Sequence, residues 1–197
     1  MKRSTHILHK KKAFSKLYCQ EMINCFESSS QQCAGNSGVC VNRSIKNSVD
    51  VGFDIHDPFN PLTNTLEMVL DLSFMEYGQR WPLAVKTVVP WRAYKKANIQ
   101  KYYPKCGYIR EHCEYDLTDP CTARRILAWM VYLNDVTDKG GTHFTYQNIT
   151  TKPRTGDLYV WPAYFTHAHY GIPSPTQVKY IATGWCSFDE FSTTLNN

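Results

Sequence analysis

The sequence predicts a mainly β fold with helices in its N-terminal third, and two patterns support this prediction. Before Trp81, apolar residues recur in two segments at the spacing of an amphipathic helix. After Trp81, short runs rich in Tyr, Trp, Val and Ile alternate with Gly, Pro and Asp breaks. Strands at this spacing are typical of an all-β sandwich or barrel. We therefore expect a helical N-terminal third that packs on a C-terminal β core.

The N-terminal third is predicted to contain two helices and one strand. Phe14, Tyr18 and Met22 have helical spacing in the first helix, and Leu66 and Leu70 lie on one face of the second. A stretch rich in Ser, Gln and Gly follows the first helix and is typical of a loop. The elements, in order, are a helix over residues 13–26, a loop over 27–38, a short strand over 49–53 and a helix over 63–77.

The rest of the chain is predicted to form strands, over residues 83–91, 99–103, 108–114, 126–134, 142–147, 157–161 and 179–186. A chain of 197 residues with 43% apolar residues and no internal repeat is expected to form a single domain. Its expected parts are a basic tail over residues 1–16, a helical support over 17–80 and a β core over 81–190.

Positive charge concentrates at the N-terminus. The chain carries a net charge of +5. Before the first acidic residue, Glu21, come Lys2, Arg3, Lys10, Lys11, Lys12 and Lys16. A basic arm can bind nucleic acid, but a solvated terminus has the same composition, and the remaining chain is close to neutral. We therefore interpret residues 1–16 as a solvated tail and do not expect a nucleic-acid partner.

The apolar and cysteine patterns exclude several classes of protein. The longest apolar run, residues 127–133, is far shorter than the roughly 20 residues of a membrane-spanning helix. No apolar h-region follows the basic N-terminus, so we expect no secretory signal and a cytoplasmic location. None of the 8 cysteines forms a C-x-x-C pair, which argues against a structural zinc site. The missing secretory signal argues against a disulfide framework.

A candidate metal site begins with His112 and Glu114. On a strand, residues i and i+2 point to the same face, so this imidazole and carboxylate would project side by side. A third neutral ligand from a neighbouring strand would complete a set of two histidines and one carboxylate. That set leaves open positions on the metal and suits non-haem Fe(II) oxygenases.

Three downstream histidines are candidates for the third ligand. His167 and His169 would share one face of an extended segment, so side-chain parity does not choose between them. His143 is a further candidate.

Lys179 lies in a mostly apolar strand, where a charged amine is unfavourable unless a group of opposite charge pairs with it.

Four ordered motifs give the sequence a family resemblance: YYPKCGYIREHCE, YLNDVTDKGGTHF, TGDLYVWPAYFTHAHYG and KYIATGW. Together they cover residues 99–188, and this half of the chain resembles the Fe(II)- and 2-oxoglutarate-dependent dioxygenases of the prolyl 4-hydroxylase type. The resemblance implies a double-stranded β-helix core, also called a jelly-roll or cupin-like fold, over residues 81–190.

The resemblance also implies roles for individual residues. His112 takes the place of the first histidine ligand, and Glu114 takes the place of the carboxylate, which is usually Asp in this family. The spacing of the distal histidine, a glycine and a lysine ten residues on fits His169 and Lys179, which leaves His167 beside the metal or the substrate. Lys179 would bind the far carboxylate of 2-oxoglutarate. The further cosubstrate contacts implied are Tyr103, Tyr108, Thr142 and Trp185.

The implied activity is hydroxylation of a C–H bond with Fe(II), 2-oxoglutarate and O₂, releasing succinate and CO₂, with ascorbate as an accessory reductant. A prolyl residue in a peptide or protein is the implied substrate, as in procollagen-proline 4-dioxygenases. Four alternatives stay open at this point. They are a free amino acid or other small-molecule substrate, a non-catalytic metal-binding jelly-roll module, nucleic-acid oxidation and a zinc hydrolase.

Overall fold

The structure is a computed structural model that describes residues 4–37, 40–84, 91–116 and 120–188. The helices in these ranges are α1 (Lys16–Ser28), α2 (Pro61–Arg80) and α3 (Pro120–Ala123). The strands are β1 (Leu8–Lys10), β2 (Cys33–Ala34), β3 (Val49–Asp54), β4 (Trp91–Ala93), β5 (Lys96–Tyr102), β6 (Arg125–Tyr132), β7 (Thr142–Phe144), β8 (Ile149–Thr150), β9 (Leu158–Pro162), β10 (His169–Gly171) and β11 (Lys179–Phe188). Short 3-10 helices span Pro82–Ala84 and Phe165–His167.

The strands form two antiparallel sheets. The large sheet has 8 strands in the order β1-β9-β6-β11-β5-β3-β2, with β4 paired to β11. The small sheet has 3 strands in the order β10-β7-β8. This arrangement confirms the predicted mainly β fold with few helices, and it places the metal-ligand candidates and most of the predicted cosubstrate contacts between the two sheets.

Alternation along the strands of the large sheet separates two apolar layers. Ile99 and Trp129 face the helices and belong to a cluster that includes Phe26 of α1 and Leu70 of α2. On the opposite face, Tyr102 packs in a second cluster with aromatic and apolar side chains of the barrel interior. Because side chains alternate along a strand, one face of each strand supports the helices while the other builds the cavity.

The two long helices begin where the chain supplies caps. The Ser15 hydroxyl accepts a hydrogen bond from the Tyr18 backbone N–H and starts α1. The Asn60 side chain accepts a hydrogen bond from the Leu62 N–H. Pro61 occupies the first turn of α2, where the N–H that proline lacks would have no partner within the helix. The second helix, α2, covers the predicted span 63–77 and extends beyond it at both ends, whereas α1 begins at Lys16 rather than at residue 13 and ends at Ser28.

The basic tail is partly a strand, so the prediction of a solvated terminus is wrong for its middle. Leu8 is 1% exposed, and β1 pairs with β9 in the register Leu8↔Val160. His9 contributes a ring nitrogen 2.8 Å from a carboxylate oxygen of Asp157, and the Lys12 backbone N–H donates to the other. Isolated apolar residues in a basic stretch gave no periodic signal, which is why the strand was not predicted.

Two predicted strands also need correction. The predicted strand over residues 83–91 begins instead as a 3-10 turn, because Pro82 fixes its own φ and the Ala84 N–H donates to the Trp81 carbonyl. Residues 85–90 lie outside the described ranges, and of the described residues of this span Trp91 alone lies in a strand. The predicted strand over 108–114 forms isolated bridges, since its backbone partners come from separate segments rather than from one neighbouring strand.

In the described part of the chain, no helix combines the length and apolar character needed to cross a membrane.

Candidate active site

A cavity of about 640 Å³ opens between the two sheets. Its lining includes side chains of β3, β5, β6, β9 and β11 from the large sheet and of β7 and β10 from the small sheet. Of the residues predicted from sequence, those lining the cavity are Tyr108, His112, Glu114, Thr142, His169, Lys179 and Trp185.

Three potential metal ligands converge on one point of the cavity wall. The donor atoms of His112, Glu114 and His169 all lie within 4.8 Å of one another. Glu114 Oε1 is 3.6 Å from His112 Nε2 and 3.5 Å from His169 Nε2. Reciprocal backbone hydrogen bonds of 3.0 and 2.9 Å join His112 to His169, so the two distant segments meet at these residues.

The hydrogen bonds of the two histidines leave the correct nitrogen available for a metal. His112 Nδ1 lies 2.9 Å from the Arg110 carbonyl oxygen, and His169 Nδ1 lies 2.8 Å from the His167 carbonyl oxygen. A carbonyl only accepts, so each Nδ1 carries a proton and donates it. Each Nε2 then faces Glu114 and is the ring nitrogen left free to bind a metal, which is the arrangement that metal-binding histidines use.

Glu114 is held ionised at this point. Burial alone would raise the pKa of its carboxyl group, but the adjacent His112 and His169 side chains hold the pKa well below its usual range. The Trp185 indole N–H donates to Glu114 Oε2 at 2.8 Å. One carboxylate oxygen therefore faces the two histidines while the other is bound by the protein.

The structure separates the three histidine candidates. His167 lies in a 3-10 helix rather than an extended segment, and its Nε2 is 2.9 Å from the Thr5 carbonyl oxygen, away from His112. His143 is on β7, where its Nδ1 is 2.9 Å from the Thr150 hydroxyl. Only His169 joins His112 and Glu114 among the described residues.

Lys179 occupies a buried position deep in the cavity. Its ammonium donates to the Gly140 carbonyl at 2.9 Å and lies 4.8 Å from the centre of the Tyr102 ring. Burial lowers the pKa of Lys179 to about 8. No carboxylate within the described residues forms an ion pair with it, so a bound anion would supply the missing partner.

Tyr103 does not enter the cavity, and Tyr102 takes the predicted position instead. Tyr103 is 50% exposed and stacks against the Lys101 ammonium on the outside of the sheet. Tyr102 lines the cavity, and its hydroxyl donates to Gln100 Oε1 at 2.7 Å. Burial raises its pKa well above the usual value, so the hydroxyl stays protonated. Asn98 and Gln100 alternate with apolar Ala97 and Ile99 in the sequence. This alternation could have indicated that Tyr102 faces the cavity, because residues 98, 100 and 102 share one face of the strand.

The other predicted contacts lie beside the ligands. Tyr108 stacks on His112 with ring centres 3.8 Å apart and an interplanar angle of 12°. Thr142 is buried, with its hydroxyl 3.4 Å from the Tyr132 hydroxyl. Trp185 contacts Glu114 as described above.

A buried ion pair on the cavity wall was missed by the sequence analysis. Lys46 Nζ lies 2.7 Å from Asp50 Oδ2, and the Ser48 hydroxyl donates to Asp50 Oδ1 at 2.7 Å. The Gln100 side chain, 3.5 Å away, connects this pair to Tyr102. The i, i+4 spacing of Lys46 and Asp50 gave no signal because the segment is not helical, and only the fold aims both side chains inward.

Comparison with known proteins identifies the class that this fold and site define. Residues 97–187 match the model of the 2OG-Fe(II) oxygenase superfamily. This part of the chain is thus similar to 2OG-Fe(II) oxygenases, and prolyl 4-hydroxylases are among the relatives of the chain by sequence and by structure. The family resemblance seen in the sequence is thereby confirmed.

One relative by sequence is a protein of Acanthamoeba polyphaga mimivirus named "Putative prolyl 4-hydroxylase", which is 28% identical over 119 residues. The match covers 53% of this chain and 49% of the relative, so the aligned part spans about half the length of that protein.

Two solved structures show the same fold. A Pseudomonas putida prolyl-4-hydroxylase superposes with a TM-score of 0.72 at 16% identity, covering 92% of both chains. A Trichoplax adhaerens prolyl hydroxylase, solved with a peptide fragment of the hypoxia inducible factor oxygen degradation domain, gives a TM-score of 0.73 at 16% identity. That match covers 93% of this chain and 84% of the other.

The residues present fit the Fe(II) and 2-oxoglutarate that the superfamily name implies. Two neutral imidazoles and one carboxylate are a ligand set that suits ferrous iron. The buried ammonium of Lys179, in the same cavity, suits the far carboxylate of a dicarboxylate cosubstrate.

Proposed function

We propose that this protein is an Fe(II)- and 2-oxoglutarate-dependent dioxygenase that hydroxylates a C–H bond, most simply of a prolyl residue in a peptide or protein, and releases succinate and CO₂. The observation that carries the proposal is the meeting of His112, Glu114 and His169 in a cavity that also holds the buried ammonium of Lys179, which has no carboxylate partner in the described part of the chain. A metal-binding module without catalysis would have no use for that ammonium.

The protein's own part in the reaction is to bind and orient. His112, Glu114 and His169 would hold the iron, which when bound supplies the activation of O₂ for oxidative decarboxylation and C–H hydroxylation. Lys179 would hold the far carboxylate of 2-oxoglutarate. The Thr142 hydroxyl stands in the same cavity as a polar contact for that molecule.

The cavity wall around these groups limits access of water. Met130, Trp161 and Ile181 are buried side chains that line the same cavity as the metal ligands and Lys179. Exclusion of water strengthens the interaction between the ammonium and a bound carboxylate. It also keeps a reactive site closed to side reactions until a substrate arrives.

A peptide substrate is supported by the relatives and by the size of the cavity. The Trichoplax protein was solved with a peptide fragment, and the relatives are prolyl hydroxylases. A cavity of about 640 Å³ leaves space beyond that needed for a five-carbon dicarboxylate. A free amino acid or another small molecule is the alternative substrate class, because the same space would admit it.

The experiment compares succinate production by the wild type, His112→Ala and His143→Ala in the presence of Fe(II), 2-oxoglutarate, ascorbate and proline-containing peptides. His143→Ala is a matched control because His143 lies outside the ligand set. We expect a +16 Da peptide product and coupled succinate release with the wild type and the control, and neither with His112→Ala. Equal turnover by all three proteins would refute the proposed site. Coupled turnover with free amino acids alone would assign the alternative substrate class.

A further inference from the structure

We propose that Trp185 and Arg125 are positioning residues that hold Glu114, and that they make glutamate rather than the shorter aspartate the carboxylate this site requires. The inference rests on the proposed iron site and deepens it. Its starting point is the departure at residue 114, where the family resemblance led us to expect aspartate.

The first observation is the hydrogen bond that fixes one carboxylate oxygen. Trp185 Nε1 donates to Glu114 Oε2 at 2.8 Å, while Glu114 Oε1 faces the Nε2 atoms of His112 and His169 at 3.6 and 3.5 Å. The two oxygens therefore have separate partners. A carboxylate held in this way offers a metal one oxygen in a fixed direction.

The second observation is that Arg125 supports both members of this hydrogen bond. Its guanidinium lies over the Trp185 ring, 3.6 Å from the ring centroid. Its Nη1 donates to the Glu114 backbone carbonyl at 3.1 Å and lies 3.8 Å from Oε2. Stacking and charge thus act together, since the arginine orients the indole and attracts the same carboxylate oxygen.

Both supporting residues are on rigid elements. Trp185 pairs with Ala128 across β11 and β6, and Arg125 is the first residue of β6. The Glu114 backbone is fixed as well, because its N–H donates to the Ala163 carbonyl at 3.0 Å. The glutamate side chain spans the gap between the indole and the two imidazoles. An aspartate at the same backbone position is one methylene shorter. It would lose either the hydrogen bond from the Trp185 indole or the position facing the two histidines.

The test is a double-mutant cycle on metal affinity, which does not depend on turnover. Co(II) binding is measured by calorimetry and by its visible absorption bands in the wild type, Trp185→Phe, Glu114→Asp and Trp185→Phe/Glu114→Asp. Trp185→Phe keeps the ring and removes the N–H. We expect about a tenfold loss of affinity for Trp185→Phe and at least as large a loss for Glu114→Asp, typical of a lost contact to a metal ligand. The double variant should bind no more weakly than Glu114→Asp, because both changes break one interaction.

Two controls separate this inference from stability and from the proposed function. Trp129→Phe removes an indole N–H from the opposite face of the sheet, where that N–H has no hydrogen-bond partner among the described residues. It should leave the affinity and the spectrum of Co(II) unchanged, and thermal unfolding checks the folding of every variant. Unchanged affinity in Trp185→Phe, additive losses in the cycle, or wild-type affinity in Glu114→Asp would overturn the inference. Failure of the wild type to bind Co(II) at all would instead overturn the proposed iron site, and the inference with it.

Discussion

The charge on Lys179 is the property of a single residue that most constrains the site. A buried ammonium with one backbone acceptor is unfavourable, and the lowered pKa of about 8 expresses that cost. A bound dicarboxylate would restore the favourable state by supplying the counter-charge. Lys179 therefore lowers the stability of the free protein and is well suited to bind an anion.

This lowered pKa predicts how 2-oxoglutarate affinity depends on pH. Lys179 is charged below about pH 8 in the free protein and loses its proton above it, so affinity should be full at pH 7 and fall by about tenfold at pH 9. Calorimetric titration of 2-oxoglutarate in the presence of Mn(II) measures this. Lys179→Arg is the matched control, because a guanidinium stays charged over the whole range and should remove the pH dependence. The same decline in both proteins would contradict the assignment.

The two neighbouring histidines give a second prediction at the residue scale. His169→Ala should abolish metal binding because it removes one of the three converging donors. His167→Ala removes a buried ring that contacts Thr5 and should leave the metal affinity within about twofold, since its ring nitrogens face away from the site. Calorimetry with Mn(II) or Co(II) measures both. Metal binding that survives in His169→Ala but not in His167→Ala would reverse the assignment.

The sequence predicted the ligand residues better than the cosubstrate contacts, and the reason is physical. His112, Glu114 and His169 are recognisable because metal binding restricts both residue type and spacing. Tyr103 was misplaced because adjacent side chains point to opposite sides of an extended chain, and only Tyr102, the last residue of β5, lines the cavity. Arg125 could not be predicted, because its contacts with Glu114 and Trp185 depend on how β6 and β11 pair.

At the scale of elements, β1 shows how a short segment completes the large sheet. It covers the edge of β9 and buries Leu8 beneath the helices. The segment after β1 brings Phe14 against Gly156, which has a φ of 81°. A Cβ atom at Gly156 would lie 2.0 Å from the Phe14 carbonyl oxygen, so only glycine permits this contact. A segment with the composition of a tail is thus part of the folded structure.

Leu8→Ala should therefore lower the free energy of unfolding by about 2–5 kcal/mol, the usual cost of emptying a buried leucine site. Leu17→Ala is the control, because Leu17 is 70% exposed and its truncation should change stability by less than about 0.5 kcal/mol. Urea unfolding followed by circular dichroism measures both. Equal effects would show that β1 is not docked in solution.

Elements were predictable where a periodic pattern spans several residues. The long strands β6 and β11 and the helices α1 and α2 each carry such a pattern, and the sequence located all four. Two- and three-residue strands such as β2, β8 and β10 carry none. The segment around His112 was predicted as a strand for its composition, but its backbone partners are single residues from three separate places.

At the scale of the whole molecule, the folded unit begins before the part of the chain that matches the superfamily model. The superfamily model matches residues 97–187, yet β1, β3 and the two long helices contribute to the large sheet or to the apolar layer behind it. Asp50 on β3 reaches into the cavity from outside the matched part. The N-terminal residues therefore support the site as well as the fold.

We predict that the chain unfolds as a single cooperative unit and that a fragment beginning at residue 91 does not fold. The fragment would expose Ile99, Trp129 and the rest of the sheet face that α1 and α2 cover, and a large exposed apolar face favours aggregation over folding. In the full chain, the helical signal in circular dichroism and the fluorescence of the buried tryptophans should change at the same denaturant concentration. Separate midpoints, or a soluble fragment with its own cooperative transition, would show that the helical part and the β core are independent. In that case the helices would be an accessory to the oxygenase domain rather than one side of its core.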